Sequence, residues 1–364
     1  MFERKVGTGQ ASERGGESQD TLLLSELKSA WEWRKRLGLF DSTEVLRVFH
    51  GPGDSRGALR RFAVDRFGDH YWITQWEENK AGPAPRESSG TPGGAPGSAG
   101  QRGSSGVSGL NSILNFLESQ GAKSAVGLNR PKQGLPESPV VFFGTPPEGR
   151  FQVREGNLKF WIEFQESRHP GLFLDHQPLR KWLLGHTAGM KVLNTFAYTG
   201  SLSVAAAVGG ASRVTTLDLS KNTLSWAEEN LKLNEISADR TQTLAGDYFE
   251  WLPKLKRKGE HFDCVILDPP SFSRGKKGNF STAKDLVKLH TLALDILSPG
   301  GILITSINSA NVTWKKFESD LLMASREAKK ALSILSRIDL PETFPTSLND
   351  ESSRYLKGWI LRAG

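Results

Sequence analysis

The run from Met190 to Asn234, MKVLNTFAYTGSLSVAAAVGGASRVTTLDLSKNTLSWAEENLKLN, decides the fold. Residues 191–195 form an apolar strand pattern, Tyr198-Thr199-Gly200 a turn, 202–208 a helix of small residues, and 213–217 a second strand ending in Asp218. That is one βαβ unit, the repeat of a parallel sheet. A turn carrying Gly200 among small residues lets a ligand approach the backbone, and the helix start behind it offers free N–H donors. Asp218 closes the second strand, where the acid that binds ribose hydroxyls sits in nucleoside-binding folds. A nucleoside-containing cofactor is implied.

The missing glycines narrow that cofactor. Dinucleotide folds use G-x-G-x-x-G so that a pyrophosphate can dock on the helix. Here the turn is N-T-F-A-Y-T-G-S, residues 194–201, with one glycine and two aromatics, Phe196 and Tyr198. It fits a cofactor without phosphate, of which S-adenosylmethionine is the common one. The alternative is an ordinary α/β repeat that binds nothing.

A second stretch, HFDCVILDPPSF from His261 to Phe272, is a buried strand running into Asp268-Pro269-Pro270-Ser271-Phe272. The strand delivers Asp268 to its C-terminal edge, where open α/β sheets bind ligands. The prolines stiffen the turn, Phe272 is available to stack on a planar ring, and Asp268 with the adjacent carbonyls can hold the amino or ring-nitrogen edge of a base. Alone, Asp-Pro-Pro is equally a rigid strand-end turn. Beyond a cofactor turn and before a basic loop, it reads as a target-base site.

These residues carry a resemblance. Gly171-Leu172-Phe173-Leu174-Asp175-His176, Asn194-Thr195-Phe196-Ala197-Tyr198-Thr199-Gly200, Leu217-Asp218, Trp226-Ala227-Glu228-Glu229-Asn230-Leu231-Lys232-Leu233-Asn234 and Asp268-Pro269-Pro270-Ser271-Phe272 resemble the large-subunit ribosomal RNA methyltransferases of bacteria, a family with a guanine-N7 and a cytosine-C5 branch. The resemblance covers residues 30–78 and 140–364. It implies an α/β class I methyltransferase fold, Rossmann-like, with a mostly parallel seven-stranded sheet. It also implies S-adenosyl-L-methionine as cofactor and 23S or large-subunit precursor RNA as partner.

On this resemblance the cofactor-binding residues are Asp175, Asn194, Phe196, Tyr198, Thr199, Gly200, Asp218, Leu219 and Asp247. Asp175 would take the cofactor's amino group and Asp247 would accept from the adenine amino group. As helix N-caps, Asp175 and Asp247 have equally ordinary roles. The catalytic set is Asp268, Pro269, Pro270, Phe272 and Asn308, and Arg274, Lys276 and Lys277 face RNA phosphates.

The cysteine bears on the acceptor atom. Cytosine C5 is methylated after a thiolate attacks C6. The only cysteine, Cys264, lies mid-strand as a small apolar residue. In the C5 branch the nucleophile follows the strand at 301–305, where this chain has Ser306-Ile307-Asn308-Ser309. The guanine-N7 branch has Ser-Asn-Asn there, so Ser306 and Asn308 match and Ile307 departs. The ending Pro341-Glu342 to Tyr355-Leu356-Lys357-Gly358 looks more like the C5 branch. Guanine N7 is favoured, with cytosine C5, adenine N6 or cytosine N4 as alternatives.

At 364 residues two domains are expected. Residues 1–20 hold too little apolar surface to order and lack a signal-peptide core. Residues 21–165 form a smaller α+β domain: a helix at 22–37, strands at 45–49, 61–65, 71–76, 125–128 and 140–143, a helix at 110–117, and a flexible Gly/Pro/Ser-rich insert at 80–109. A strand at 157–164 leads into the catalytic domain, 166–364. There a helix begins at Asp175, a strand is expected at 241–244 and another at 301–306, helices at 248–255, 283–297 and 312–332, and a last antiparallel pair at 332–340 and 355–361.

No stretch approaches the ~20 apolar residues of a membrane span, and one cysteine suits a reducing, cytoplasmic setting. The seven histidines lack metal-ligand spacing, so no metal is expected, and His176 and His290 look structural. A net charge of +7 favours a polyanionic partner, with Lys254, Lys256, Arg257 and Lys258 before the Asp268 strand and Arg274, Lys276 and Lys277 after it. A nicotinamide oxidoreductase would need the absent glycines. An RNA assembly factor that holds the cofactor without catalysis is the non-enzymatic alternative. The first 20 residues are too short for an added recognition domain, so RNA site selection would rest on the small domain, the basic loops or a partner.

Overall fold

The computed structural model describes residues 19–77, 104–131, 138–165, 168–275, 278–309, 312–350 and 353–364. Most of the tail at 1–20 and of the insert at 80–109 lies outside them.

The N-terminal domain starts with α1 (Gln19–Arg36) and α2 (Leu39–Ser42), then β1 (Val45–His50), α3 (Gly51–Asp54), β2 (Phe62–Phe67), β3 (His70–Trp76), α4 (Ser104–Ser119), β4 (Ser124–Arg130) and β5 (Val140–Gly144). α1 starts before the expected residue 22 and takes in Asp20, whose charge in the first turn suits the helix dipole. The strands pair in the order β1-β2-β3-β4-β5, antiparallel except for β3 with β4, which α4 connects. Leu23, Leu27 and Ala30 of α1 and Ile113, Phe116 and Leu117 of α4 cover one face of this sheet.

The insert gives way to α4 at Ser104, earlier than the expected 110. Its composition, SSGVSGLNSILNFLES, hides the helix, but packing explains it. A Cβ on Gly109 would lie 3.3 Å from Leu59 and 3.4 Å from Phe62, so the helix packs closely there and a larger residue would need those side chains to shift.

A hairpin of β6 (Arg150–Glu155) and β7 (Leu158–Glu163) follows, then α5 (Gln177–His186), β8 (Lys191–Thr195), α6 (Ser201–Val208), β9 (Arg213–Asp218), α7 (Lys221–Leu233), β10 (Thr241–Ala245), α8 (Tyr248–Arg257) and β11 (Phe262–Leu267). A small hairpin, β12 (Phe272–Gly275) with β13 (Gly278–Ser281), had no signal in the sequence. Next are α9 (Thr282–Asp295), β14 (Leu297–Ile307), α10 (Trp314–Ala328), β15 (Leu332–Arg337) and β16 (Lys357–Ala363). The helix expected to reach 332 ends at Ala328, because Lys329 turns left-handed at φ 53° and frees Leu332 for β15.

The large sheet has the order β10-β9-β8-β11-β14-β16-β15. Its first five strands are parallel and β16 runs antiparallel to both neighbours. Val192, Cys264, Ile266 and Ile304 are wholly buried in it. Such continuous apolar runs are what a sheet covered on both faces demands.

The β6-β7 hairpin is stitched to α7. Asn230 Oδ1 accepts from the Trp161 N–H at 2.8 Å, and Asn234 Oδ1 from the Lys159 N–H at 2.9 Å. Trp226 Nε1 donates to the Trp161 carbonyl at 3.1 Å. The Trp226 to Asn234 motif is therefore a docking seam. Among the described residues no helix is long and apolar enough to cross a membrane.

Candidate active site

The sheet order reverses between β8 and β11, with β9 and β10 on one side and β14 on the other. Ligands of open α/β sheets bind at such a point, beyond the carboxyl ends of the strands. A cavity of about 330 Å³ opens there. Asn194, Phe196 and Tyr198 line it from the end of β8, Asp218 and Leu219 from β9, Asp247 from β10, Asp268, Pro269 and Pro270 from β11, and Asn308 from β14. Ten of the residues singled out in the sequence thus share one wall system, although they come from five separate strands.

The turn after β8 is bent by its neighbours. Phe196 and Tyr198 both have positive φ, 54° and 51°, a conformation that costs non-glycine residues free energy. The Tyr198 N–H donates to Asp218 Oδ2 at 2.8 Å, the Ala197 N–H donates to the Leu217 carbonyl at 3.1 Å, and the Phe196 ring stacks on Tyr248 at 5.2 Å. Asp218 Oδ1 accepts from the Ser220 N–H and the Thr223 hydroxyl. A carboxylate has about four acceptor positions, so Asp218 shapes the turn and retains capacity toward the cavity.

Three expected cofactor residues do not line the cavity. The Thr199 hydroxyl donates to the Gly171 carbonyl at 2.5 Å, and its own carbonyl accepts from Asn230 Nδ2. Gly200, at φ 75°, leaves no room for a side chain, since a Cβ would stand 2.7 Å from Ala227 Cβ. Its glycine allows the close approach of α6 to α7. Asp175 is the third. It makes no helix cap; its carboxylate accepts from the Tyr355 hydroxyl at 2.9 Å and pairs with His176 Nδ1 at 3.1 Å.

Asp247 does cap its helix, accepting from the Phe249 N–H at 2.7 Å, while also lining the cavity. Asn308 Oδ1 accepts from the Ser271 hydroxyl at 3.3 Å. Phe272 and Arg274 begin and continue β12, with side chains outside the described set, and Lys276 and Lys277 lie outside the described residues altogether. Of the earlier basic cluster, Lys256 is paired with Asp295 at 2.8 Å.

His176 departs most from expectation. It is buried, lines the cavity, and joins groups far apart in the chain. Nδ1 faces Asp175, and Nε2 lies 3.3 Å from Ser306 Oγ and 3.4 Å from Asp268 Oδ2. Burial opposes charge on the ring, but the Asp268 and Asp175 carboxylates prevail and raise its pKa to about 10. Burial also works against Asp175, yet the hydrogen bond from His176 holds its carboxyl well below the usual range. His290, by contrast, is structural: burial pushes it down to about 4, and Nε2 meets Thr305 Oγ1 at 2.9 Å. Phe173, part of the Gly171 to His176 motif, and Tyr248 and Phe249, which carried no sequence signal of their own, also line the cavity.

Cys264 is sealed inside β11, and burial, helped by Asp263, pushes its thiol up to about 12. A thiol so placed is neither ionised nor within reach of a substrate. At the opposite extreme of use, Asn194 Oδ1 is buried in the cavity wall with no hydrogen-bond partner among the described residues, while Nδ2 donates to Ser203 Oγ at 2.9 Å. A buried acceptor without a donor is costly, so a ligand bearing N–H or O–H groups fits here. Aromatic rings, two acceptor carboxylates and an unmet amide oxygen match an adenosine carrying an amino-acid chain.

The sequence pattern of the S-adenosylmethionine-dependent methyltransferase family matches residues 111–360. The chain belongs to this family. S-Adenosylmethionine is its cofactor, and the fold and cavity of this methyltransferase suit it. The "Putative ribosomal RNA large subunit methyltransferase YwbD" of Bacillus subtilis (strain 168) is 34% identical over 346 residues, 93% of this chain and 80% of that one. The ribosomal RNA large subunit methyltransferase K/L of Saccharophagus degradans is 40% identical over 185 residues, 50% of this chain and only 24% of the relative. This chain therefore matches about a quarter of the latter's length. A solved structure described as "a putative methyltransferase complexed with SAH" superposes with a TM-score of 0.79 at 26% identity, covering 96% of this methyltransferase and 83% of that chain.

Proposed function

We propose that this methyltransferase modifies a base of large-subunit ribosomal RNA, 23S RNA or its precursor, and that the acceptor atom is guanine N7. The named relatives support the RNA. The observation that carries the acceptor is the placement of Asp268 and Asn308 on the cavity while the one cysteine is sealed in the sheet. Guanine N7 presents an in-plane lone pair and needs neither a thiolate nor a base to remove a proton.

Within this proposal Asp218 takes the ribose hydroxyls, Asp247 the adenine amino group, and Asn194 Oδ1 an N–H or O–H of the bound cofactor. When bound, S-adenosylmethionine supplies an electrophilic methyl group on its sulfonium. Asp268 and Asn308 hold the base edge, Pro269 and Pro270 keep that turn from drifting, and the aromatic wall excludes water, so alignment does most of the catalysis. Arg274, Lys276 and Lys277 neutralise phosphates around the base. The setting is cytoplasmic.

An exocyclic amine is the second reading, because the Asp268 carboxylate also suits an amino donor. Labelled methyl transfer to unmodified large-subunit RNA, with transfer RNA and DNA as controls, tests the substrate. Label confined to the large-subunit RNA is expected. Label on transfer RNA alone contradicts the proposal.

A further inference from the structure

His176 sits between two carboxylates, and the hydrogen-bond directions around it are fixed by its neighbours. On one side Asp175 offers Oδ1 at 3.1 Å, with its other oxygen already accepting from the Tyr355 hydroxyl at 2.9 Å. On the other side the Ser306 hydroxyl donates to Asp268 Oδ1 at 2.6 Å. Its one proton is thereby committed, and toward His176 Nε2 at 3.3 Å the Ser306 oxygen has only lone pairs to offer. Asp268 Oδ2, 3.4 Å from the same nitrogen, is a further acceptor. Both ring nitrogens therefore face acceptors.

We infer that His176 is a positioning residue that donates from both ring nitrogens, locking Asp268 and Ser306 so that the two Asp268 oxygens hold one orientation toward the target base. The inference rests on Asp268 lying at the base site. Asp268 follows β11 and Ser306 lies in β14, while Asp175 and His176 precede α5. One imidazole thus ties the strand ends that carry the base site to the segment in front of α5.

The charged and titratable groups around it agree with a charged ring. Beyond Asp175 and Asp268, Tyr355 donates to Asp175, and its own hydroxyl is held protonated by burial and by the Asp175 charge. Arg47 of β1, paired with Asp65 through bonds of 2.7 and 2.8 Å, acts on Asp175 from the N-terminal domain and helps keep it a carboxylate. Lys357 Nζ donates to the Ser309 and Tyr355 carbonyls on the far side. The raised pKa of His176 is the outcome of these contacts.

The role predicts more than stability. A His176→Gln side chain donates from its nitrogen but accepts at its oxygen, so one of the two carboxylates loses its donor. Where Asp268 is the one left without a donor, it keeps the Ser306 hydroxyl on Oδ1 and loses the restraint on Oδ2, while the adenosine side of the cavity, formed by Asp218 and Asp247, is untouched. Small displacements of a positioned group cost up to about 100-fold in rate. The variant is expected to bind S-adenosylmethionine within about threefold of wild type and to lose about 10- to 100-fold in kcat on RNA.

The deciding experiment needs no RNA. Nitrogen-15 NMR on the full chain labelled at histidine reads the ring nitrogens of His176 at about pH 8, where an ordinary histidine of pKa about 6.5 is neutral. Two protonated nitrogens, with the signal assigned by its loss in His176→Gln, are the expected result. A neutral ring with one bare nitrogen overturns the inference. If the ring is charged yet RNA is not methylated, the substrate proposal fails and this one stands. Unchanged kcat in a folded His176→Gln protein, with RNA methylation intact in wild type, overturns the positioning role.

Discussion

Arg180 holds Glu155 through two parallel N–H···O bonds, Nε to Oε1 at 2.7 Å and Nη2 to Oε2 at 2.6 Å, with both side chains withdrawn from water. Arg180 lies in α5, directly after the Asp175-His176 segment, and Glu155 ends β6. Arg180 also donates from Nη1 to the Phe173 carbonyl at 2.8 Å, in the segment that lines the cavity. The pair therefore anchors one wall of the active site to the hairpin.

Removing one partner of such a pair strands a buried charge. Glu155→Ala is expected to destabilise the protein by about 3–5 kcal/mol. Denaturant unfolding checks this; a loss under about 1 kcal/mol would mean that water reaches Arg180.

Gly200→Ala probes a different constraint. The left-handed φ and the 2.7 Å approach to Ala227 predict a loss of roughly 1–3 kcal/mol, read as a lower midpoint of thermal unfolding. Because Gly200 does not line the cavity, cofactor affinity per folded molecule stays near wild type. A selective loss of affinity at unchanged stability would return Gly200 to the ligand.

Asp218→Ala removes the acceptor for Tyr198, Ser220 and Thr223 together with the proposed ribose contact. Bonds to a charged group contribute about 1.5–3 kcal/mol, so affinity for S-adenosylmethionine should fall by at least about tenfold. Calorimetric titration measures it, and an unchanged dissociation constant contradicts the assignment.

Cys264→Ala should keep methyl transfer at the wild-type rate and cost about 1 kcal/mol of stability through lost packing. Loss of transfer in a folded protein would point to thiol chemistry and against a guanine-N7 acceptor.

Stability should depend on pH in a definite way. His176 has a raised pKa in the fold, so its contribution is complete below the ordinary value near 6.5 and fades as pH rises toward about 10. His50, His169 and His290 are depressed to about 2, 3 and 4, each first by burial, with nearby arginines adding to the first two. These three bind protons more readily unfolded, so stability falls as pH drops below about 6.5. Denaturant midpoints across pH should show the alkaline decline in wild type and a shallower one in His176→Gln. Parallel curves would contradict a charged His176.

Parallel strands were legible because they are continuous apolar runs: residues 191–195 and β8 coincide, and the strand leading to Asp268 is β11. The strand-end acids Asp218, Asp247 and Asp268 were legible as well, since topology sends every parallel strand end to the same edge. Thr199, Gly200 and the Trp226 to Asn234 run were recognisable as a motif but not as packing elements, because their partners lie on other elements. His176 closed the Gly171 to His176 motif but was read as structural, because its meaning depends on Ser306 and Asp268, far along the chain. The start of α4 was hidden by Gly and Ser, which mark loops unless a neighbouring sheet demands small residues.

The central claim is methylation of a ribosomal RNA base at a cysteine-free site. Its most direct test is incubation of unmodified large-subunit RNA with the protein and S-adenosylmethionine, digestion to nucleosides and mass spectrometry. The predicted product is 7-methylguanosine, absent when Asp268→Ala replaces wild type. 5-Methylcytidine, or no methylated nucleoside from folded, cofactor-binding protein, would contradict it.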